Sequence, residues 1–264
     1  MAKFAVINKE HHLTSKCRRL PDHRFAARET TVPVVGDELI RAVPAMPIVF
    51  IEENGKFTLS ALLSVTPGQN LFVAPDGRWL GSYVPAGIRT YPFRLATPEG
   101  AEQSVLCVDA QYVVDADDPS PGMAFFEADG TPTAIVQQNL DYLTALERSR
   151  RTTELAVSSL AQAGLIKPWP LTIKSEQHGD RTVNGIFCID EAALNGLANE
   201  DFLKLRATGA LPLAYAQLLS MGQIAIFEHL VRMQTQLAPQ PLTPLPDSLD
   251  RLFDQTDNLE IRFD

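Results

Sequence analysis

The stretch "PIVFIEENGKFTLSALLSV", Pro47 to Val65, decides the fold class. Two apolar, β-branched runs flank Asn54-Gly55. That dipeptide accepts the positive φ angles of a two-residue turn between antiparallel strands, so the stretch reads as a β-hairpin. Working outward, "PGQN" (Pro67–Asn70) is a turn. "LFVAPDGRWL" (Leu71–Leu80) reads as a short strand, a Pro-Asp-Gly turn and a second strand beginning at Arg78 and Trp79. "YPFRLAT" (Tyr91–Thr97), "QSVLCVDAQYVV" (Gln103–Val114) and "MAFFEADG" (Met123–Gly130) add strand-like runs. On the other side, "GDELIRAV" (Gly36–Val43) reads as a short helix leading into the hairpin.

The pattern changes after Gly130. From about Thr133 to Ala163 there is neither Gly nor Pro, and Val136, Leu140, Leu143 and Leu146 recur at helical spacing. Thr131 or Thr133 caps the start and Gly164 ends it. The "RSRRTT" patch, Arg148 to Thr153, is either a solvated face or a break into two helices. "LIKPWPLTIKSE" (Leu165–Glu176) and "TVNGIFCIDE" (Thr182–Glu191) read as strands around a "QHGD" turn, pairing with each other or extending the first sheet. Three helical patterns follow. Asp190 caps "DEAALNGL", Asn199 caps and Gly209 ends "NEDFLKLRATG", and Leu211–Leu237 reads as one long amphipathic helix. Beyond it, "APQPLTPLPDS" is Pro-rich, and "LDRLFDQTDNLEIRFD" is acidic with spaced apolar residues, a tail that docks on the body or on a partner. The expectation is an α+β fold: an antiparallel β-rich N-terminal part (1–130) packed with a mainly helical C-terminal part (131–237) in one unit, then a tail at 238–264.

The 264 residues are 45% apolar, which matches globular composition. Lys plus Arg is 23 against 32 Asp plus Glu, a net charge of −9, so the expected partners do not include nucleic acid or anionic lipid. No apolar run approaches eighteen residues, so no membrane span is expected. Phe4–Ile7 is too short for a signal-peptide core. The expected location is the cytoplasm, or the cell surface by export that reads no N-terminal signal. Cys107 and Cys188 sit in apolar runs and read as buried thiols.

No nucleophile elbow, zincin, phosphate-loop or dinucleotide motif occurs in the sequence. His11, His12, Cys17 and His23 are metal-ligand types at a spacing that matches no zinc module, and read first as a surface segment with incidental imidazoles. Lys16, Arg18 and Arg19 flank Cys17, a field that lowers a thiol pKa, yet no base accompanies it. Asp115, Asp117 and Asp118 read as a strand-ending acidic loop, and His178 and His229 as a turn and a helix residue. The densest signal is "PDGRWLGSYVPAGIRTYPFRL", Pro75 to Leu95. Trp79 and Phe93 have strand context and read as core. Tyr83, Pro85, Arg89 and Tyr91 fall in an irregular connection, where site residues commonly sit. Trp79, Tyr83, Pro85, Arg89, Tyr91 and Phe93 are therefore the candidate ligand or partner surface, with Arg89 available to a carboxylate or an aromatic ring.

"MPIVFIEENGKFTLSALLSVTPGQNLFVAPDGRWLGSYVPAGIRTYPFRLA" and "NGIFCIDEAALNGLANEDFLKLRATGALPLAYAQLLSMGQI" together resemble the bacterial SapC family, over roughly residues 4 to 235. The peptide-transporter permease of the same name is a different protein. The resemblance implies a soluble bacterial protein linked to surface-layer formation. It also implies an accessory role in uptake or modification of a peptide or metabolite, because family genes lie beside TonB-dependent receptors, flavin halogenases and cupin-like oxygenases. The leading expectation is a non-catalytic binding or accessory protein with a protein, peptide or small-ligand partner. One alternative is an enzyme of unfamiliar type, using His11, His12 and Cys17 near a metal or Arg89 to hold an acidic substrate. Another is a homo-oligomeric layer component that self-associates through strand edges or the tail. No cofactor is identified from the sequence.

Overall fold

The computed structural model describes residues 3–98, 104–173 and 181–238. The QHGD turn and tail residues 239–264 lie outside them. The hairpin forms as its sequence requires. Strands Ile48–Glu53 and Lys56–Leu62 pair from Ile48↔Ala61 to Glu53↔Lys56, with Asn54 at φ 52° and Gly55 at φ 75° in the turn. The hairpin is the centre of a five-stranded antiparallel sheet ordered Ile166–Pro168, Ile186–Ile189, Ile48–Glu53, Lys56–Leu62, Thr31–Pro33. The two late strands thus pair with each other and also extend the first sheet. Phe187 meets Phe57 edge-to-face at 5.1 Å and fixes that junction.

Among the described residues there are three smaller sheets. Phe4–Val6, Val105–Asp109 and Phe93–Ala96 form one, with Val105–Asp109 in the middle. Val113–Asp115, Ser15–Arg18 and Gly122–Ala124 form another, and Leu171–Ile173 pairs with Arg181–Val183. Several expected strands are shorter than read. Leu71–Leu80 makes a single bridge, Val73↔Trp79, because the Asp76–Gly77 turn leaves only a few residues to pair. Leu165–Glu176 divides at Trp169–Pro170 into two short strands, Ile166–Pro168 and Leu171–Ile173, which pair with different partners. Gln103–Val114 is interrupted at Ala110–Tyr112, where the Asp109 carboxylate accepts the Gln111 amide.

Helix Ala134–Gln162 is continuous through the Arg-rich patch. Arg150 and Arg151 face outward and pair with Glu147 and Glu154, while Ser149 and Thr153 are buried. Gly164, at φ 67°, follows the helix's end. Thr133 stands at the N-cap, but its hydroxyl donates to the Ala124 carbonyl instead of capping. Asp190 caps Glu191–Asn195 through the Ala193 amide. Ala198, not Asn199, precedes helix Asn199–Ala207, and Gly209 turns the chain at φ 71°.

The expected long helix over Leu211–Leu237 is instead Ala210–Ser220, a 3-10 turn at Met221–Ala225, and Ile226–Leu237. Ser220 is fully buried; its hydroxyl donates back to the Gln217 carbonyl and accepts the Ile48 amide, and Gly222 follows. Taken as one run, Ala210–Leu237 is long and apolar enough to cross a membrane by length and composition alone. In this structure its inward residues Leu211, Leu213, Ala214, Phe227 and Leu230 are buried in the main core. That core takes side chains from Ala26 to Leu230, so both halves of the chain share it. A second core gathers Cys17, Phe93, Val108, Phe125, Val136 and Leu143.

Candidate functional site

The turn at Gly36–Glu38 brings Glu38 under the Tyr83–Phe93 connection. Glu38 is buried, and a buried carboxylate needs donors. It has three: Oε1 accepts the Val35 amide at 2.9 Å, and Oε2 accepts the Tyr83 hydroxyl at 2.7 Å and the Ala86 amide at 2.8 Å. Burial, and then the hydrogen bond to Glu38, push the Tyr83 phenol far above its ordinary range, so it stays a donor. The Pro85 carbonyl accepts the Ile88 and Arg89 amides and starts the short helix Ala86–Arg89.

The aromatic side chains of the candidate surface turn inward. Tyr83, Pro85 and Phe93 are buried, and Trp79 and Tyr91 are half-buried. Trp79 stacks on Phe72 at 5.3 Å, and its indole N–H donates to the Tyr83 carbonyl at 2.8 Å. Tyr91 stacks on Phe25 at 4.3 Å and donates to Asp109 Oδ2 at 2.6 Å; the Tyr91-Pro92 peptide is cis. Arg89 alone of the six is exposed. Its guanidinium lies 5.7 Å from the Tyr83 ring and 5.4 Å from the Tyr142 ring, and donates to the Tyr142 hydroxyl.

The connection forms the base of a cleft of about 430 Å³. Ala86, Gly87 and Thr90 line the base. One wall is Val32–Val35 with Phe57–Leu59 from the five-stranded sheet, and the other is Phe93–Leu95 from the neighbouring sheet. Leu143, Leu146 and Val157 of the long helix complete it. The cleft is mostly apolar, and its charged groups are largely matched: Glu38 by its three donors, Arg150 by Glu147 and Glu154. A smaller cleft of about 250 Å³, shared with Glu38, Ala86 and Leu146, holds Tyr83, Arg89 and Tyr142. A broader groove continues past Thr58 to Lys56 and Arg151. The helix residues were legible only as an apolar stripe, and Glu38 only as an acid at a helix start.

The metal-ligand types do not converge. His11 is exposed; His12 is buried, with Nδ1 against the Asn8 backbone and its ring edge-on to Phe125 at 5.4 Å. His23 packs on Trp79 at 5.8 Å. Cys17 lies in the second core, where burial pushes its thiol up to about 11 despite the flanking cations. The expected lowering of that pKa is therefore corrected: the thiol is buried, and burial disfavours the thiolate. Among the described residues, no three His, Cys, Asp or Glu side chains are grouped to hold a metal ion.

Residues 7–226 match the family model described as SapC. The chain belongs to the SapC family. No curated protein and no solved structure matches it. The whole cleft of this SapC chain, including Glu38 and the Tyr83–Phe93 connection, falls within the matched span.

Proposed function

We propose that this SapC protein is a non-catalytic binding or accessory protein, and that its ligand site is the cleft beneath the long helix. The observation that carries the reading is an apolar cleft of about 430 Å³ between two sheets, with Glu38 and Arg150 already paired within the protein and Arg94 lying over the Phe4 ring. That is the size and character of sites that take an apolar small molecule or an apolar side chain of a partner. The three carboxylates that line the cleft are all engaged, Glu38 by two amides and the Tyr83 hydroxyl, Glu147 by Arg150 and Arg151, and Glu154 by Arg150, which favours binding over general-base chemistry. The family resemblance supports a link to surface-layer formation or to uptake and modification of a peptide or metabolite. The layer-component reading through strand edges is weakened because both outer strands of the largest sheet contain a proline, Pro33 and Pro168.

Native mass spectrometry of the protein from its own host tests the reading. The expected result is an added small mass or a bound peptide that Thr58→Trp removes without loss of the circular dichroism spectrum. Thr58 is exposed at the cleft wall, so a large ring there narrows the cleft at little cost to the core. A ligand that Thr58→Trp retains undiminished overturns the assignment, and so does a chain that is always bare.

A further inference from the structure

The two walls of the cleft are sheet edges with free backbone groups. On one side, the Asp109 amide donates to the Pro92 carbonyl at 2.9 Å, and Phe93 lies opposite Val108. Antiparallel alternation then points Arg94 and Ala96 into the sheet, and the Leu95 N–H and C=O away from it. On the other side, the hairpin closes on Glu53↔Lys56, so the same alternation turns the Phe57 N–H and C=O outward. The neighbouring strand Thr31–Pro33 reaches only Ser60, and the Val34 amide only the Leu59 carbonyl. Among the described residues, neither Leu95 nor Phe57 has a backbone partner on that outer side, and both line the cleft. A free edge in an apolar cleft is a template for an extended segment.

One segment of this chain has the matching pattern. In "NLEIRFD", Leu259, Ile261 and Phe263 alternate with Glu260 and Arg262. That is the period of a strand with one apolar face. The segment lies beyond both the described residues and the family-matched span. Its surroundings are acidic: Asp247, Asp250, Asp254, Asp257, Glu260 and Asp264 against Arg251 and Arg262. The groove that continues the cleft carries a net positive charge: Lys56 has no ion pair among the described residues, while Arg150 and Arg151 pair with Glu147 and Glu154. The twenty residues from 239 to 258 can span up to about 70 Å when extended. A body of this size has a radius of gyration of roughly 18 Å, so the reach is ample.

We propose that Leu259–Phe263 adds as a strand to the Phe93–Ala96 edge of the same chain, placing its apolar side chains in the cleft. The proposal rests on the cleft being open to a guest, and it makes the chain's own segment a built-in competitor for any other ligand. The test keeps the full chain and compares it with the triple variant Leu259→Asp, Ile261→Asp, Phe263→Asp. A synthetic peptide of residues 257–264 is expected to bind the triple variant one-to-one, at least about tenfold more tightly than the unaltered chain, whose own segment competes at high effective concentration. Amide exchange at Leu95 is expected to be at least about tenfold slower in the unaltered chain than in the variant. A peptide that binds neither protein, or equal exchange in both, overturns the proposal. Protection at Leu95 that rises with protein concentration also overturns it, by assigning the segment to a second copy. A small ligand still displaced by Thr58→Trp while the peptide binds nothing leaves the ligand site standing and removes only the strand.

Discussion

The carboxylate of Glu38 stays buried at the cleft wall because the Val35 and Ala86 amides and the Tyr83 hydroxyl all donate to it. Glu38→Ala leaves three buried donors unpaired and is expected to cost about 3 kcal/mol in denaturant unfolding, while Tyr83→Phe costs about 1 kcal/mol. A Glu38→Ala loss no larger than that of Tyr83→Phe would show that the network does not hold the connection. Cys17 supplies a pH test. Its thiol is raised to about 11 by burial, whereas an unfolded thiol titrates near 8.5. The folded state favours the neutral form, so this contribution is complete below about pH 8.5 and is lost as pH rises toward 11, by roughly 3 kcal/mol. Cys17→Ala should flatten that fall in pH-dependent unfolding, and an unchanged slope would refute the assignment. The sequence marked Tyr83 to Phe93 as unusual, but not which way the rings face. Direction depends on Glu38, which is 45 residues from Tyr83 and gives no local sign of being buried.

At the scale of elements, what was legible was what neighbouring residues decide. Asn54-Gly55 dictates the hairpin locally, and the absence of Gly and Pro over Ala134–Gln162 permits one long helix. The division of the last helix was not legible, because its cause is 172 residues away: Ser220 accepts the Ile48 amide. Gln217 does related work one turn earlier. Its Oε1 accepts the Ile189 amide at 2.9 Å and its Nε2 donates to the Ile48 carbonyl at 3.1 Å, so one side chain joins two strands of the sheet to the helix that packs on them. Gln217→Leu keeps the volume but strands one buried donor and one buried acceptor. The expected cost is about 2–4 kcal/mol, read as a lower unfolding midpoint. Gln217→Glu retains an acceptor for Ile189 and loses only the donor to Ile48, and it should still destabilise because it buries a charge. A neutral Gln217→Leu variant would mean that water reaches these groups and the bridge is dispensable.

For the whole molecule, the question is whether sheet edges join copies of the chain. In the outer strand Ile166–Pro168, the Leu165 carbonyl accepts the Asp190 amide and the Trp169 amide donates to the Ile186 carbonyl. Leu165, Lys167 and Trp169 therefore face the partner strand, and Ile166 and Pro168 face outward. At the opposite edge the Val34 amide donates to the Leu59 carbonyl, so Pro33 also faces outward. Each proline thus removes a donor at an outward position while leaving the native ladder intact, the placement expected of an edge kept from pairing with another sheet. Pro168 is exposed, so its role can be isolated. Pro168→Thr restores an outward N–H next to Trp169 without removing a core contact. Stability is expected to change by less than about 1 kcal/mol. Sedimentation should then show a mass that rises with concentration for Pro168→Thr and stays constant for the unaltered chain. Equal masses across the range would mean that charge or neighbouring segments guard this edge. Assembly of the unaltered chain that Pro168→Thr leaves unchanged would place any self-contact on a surface other than this strand.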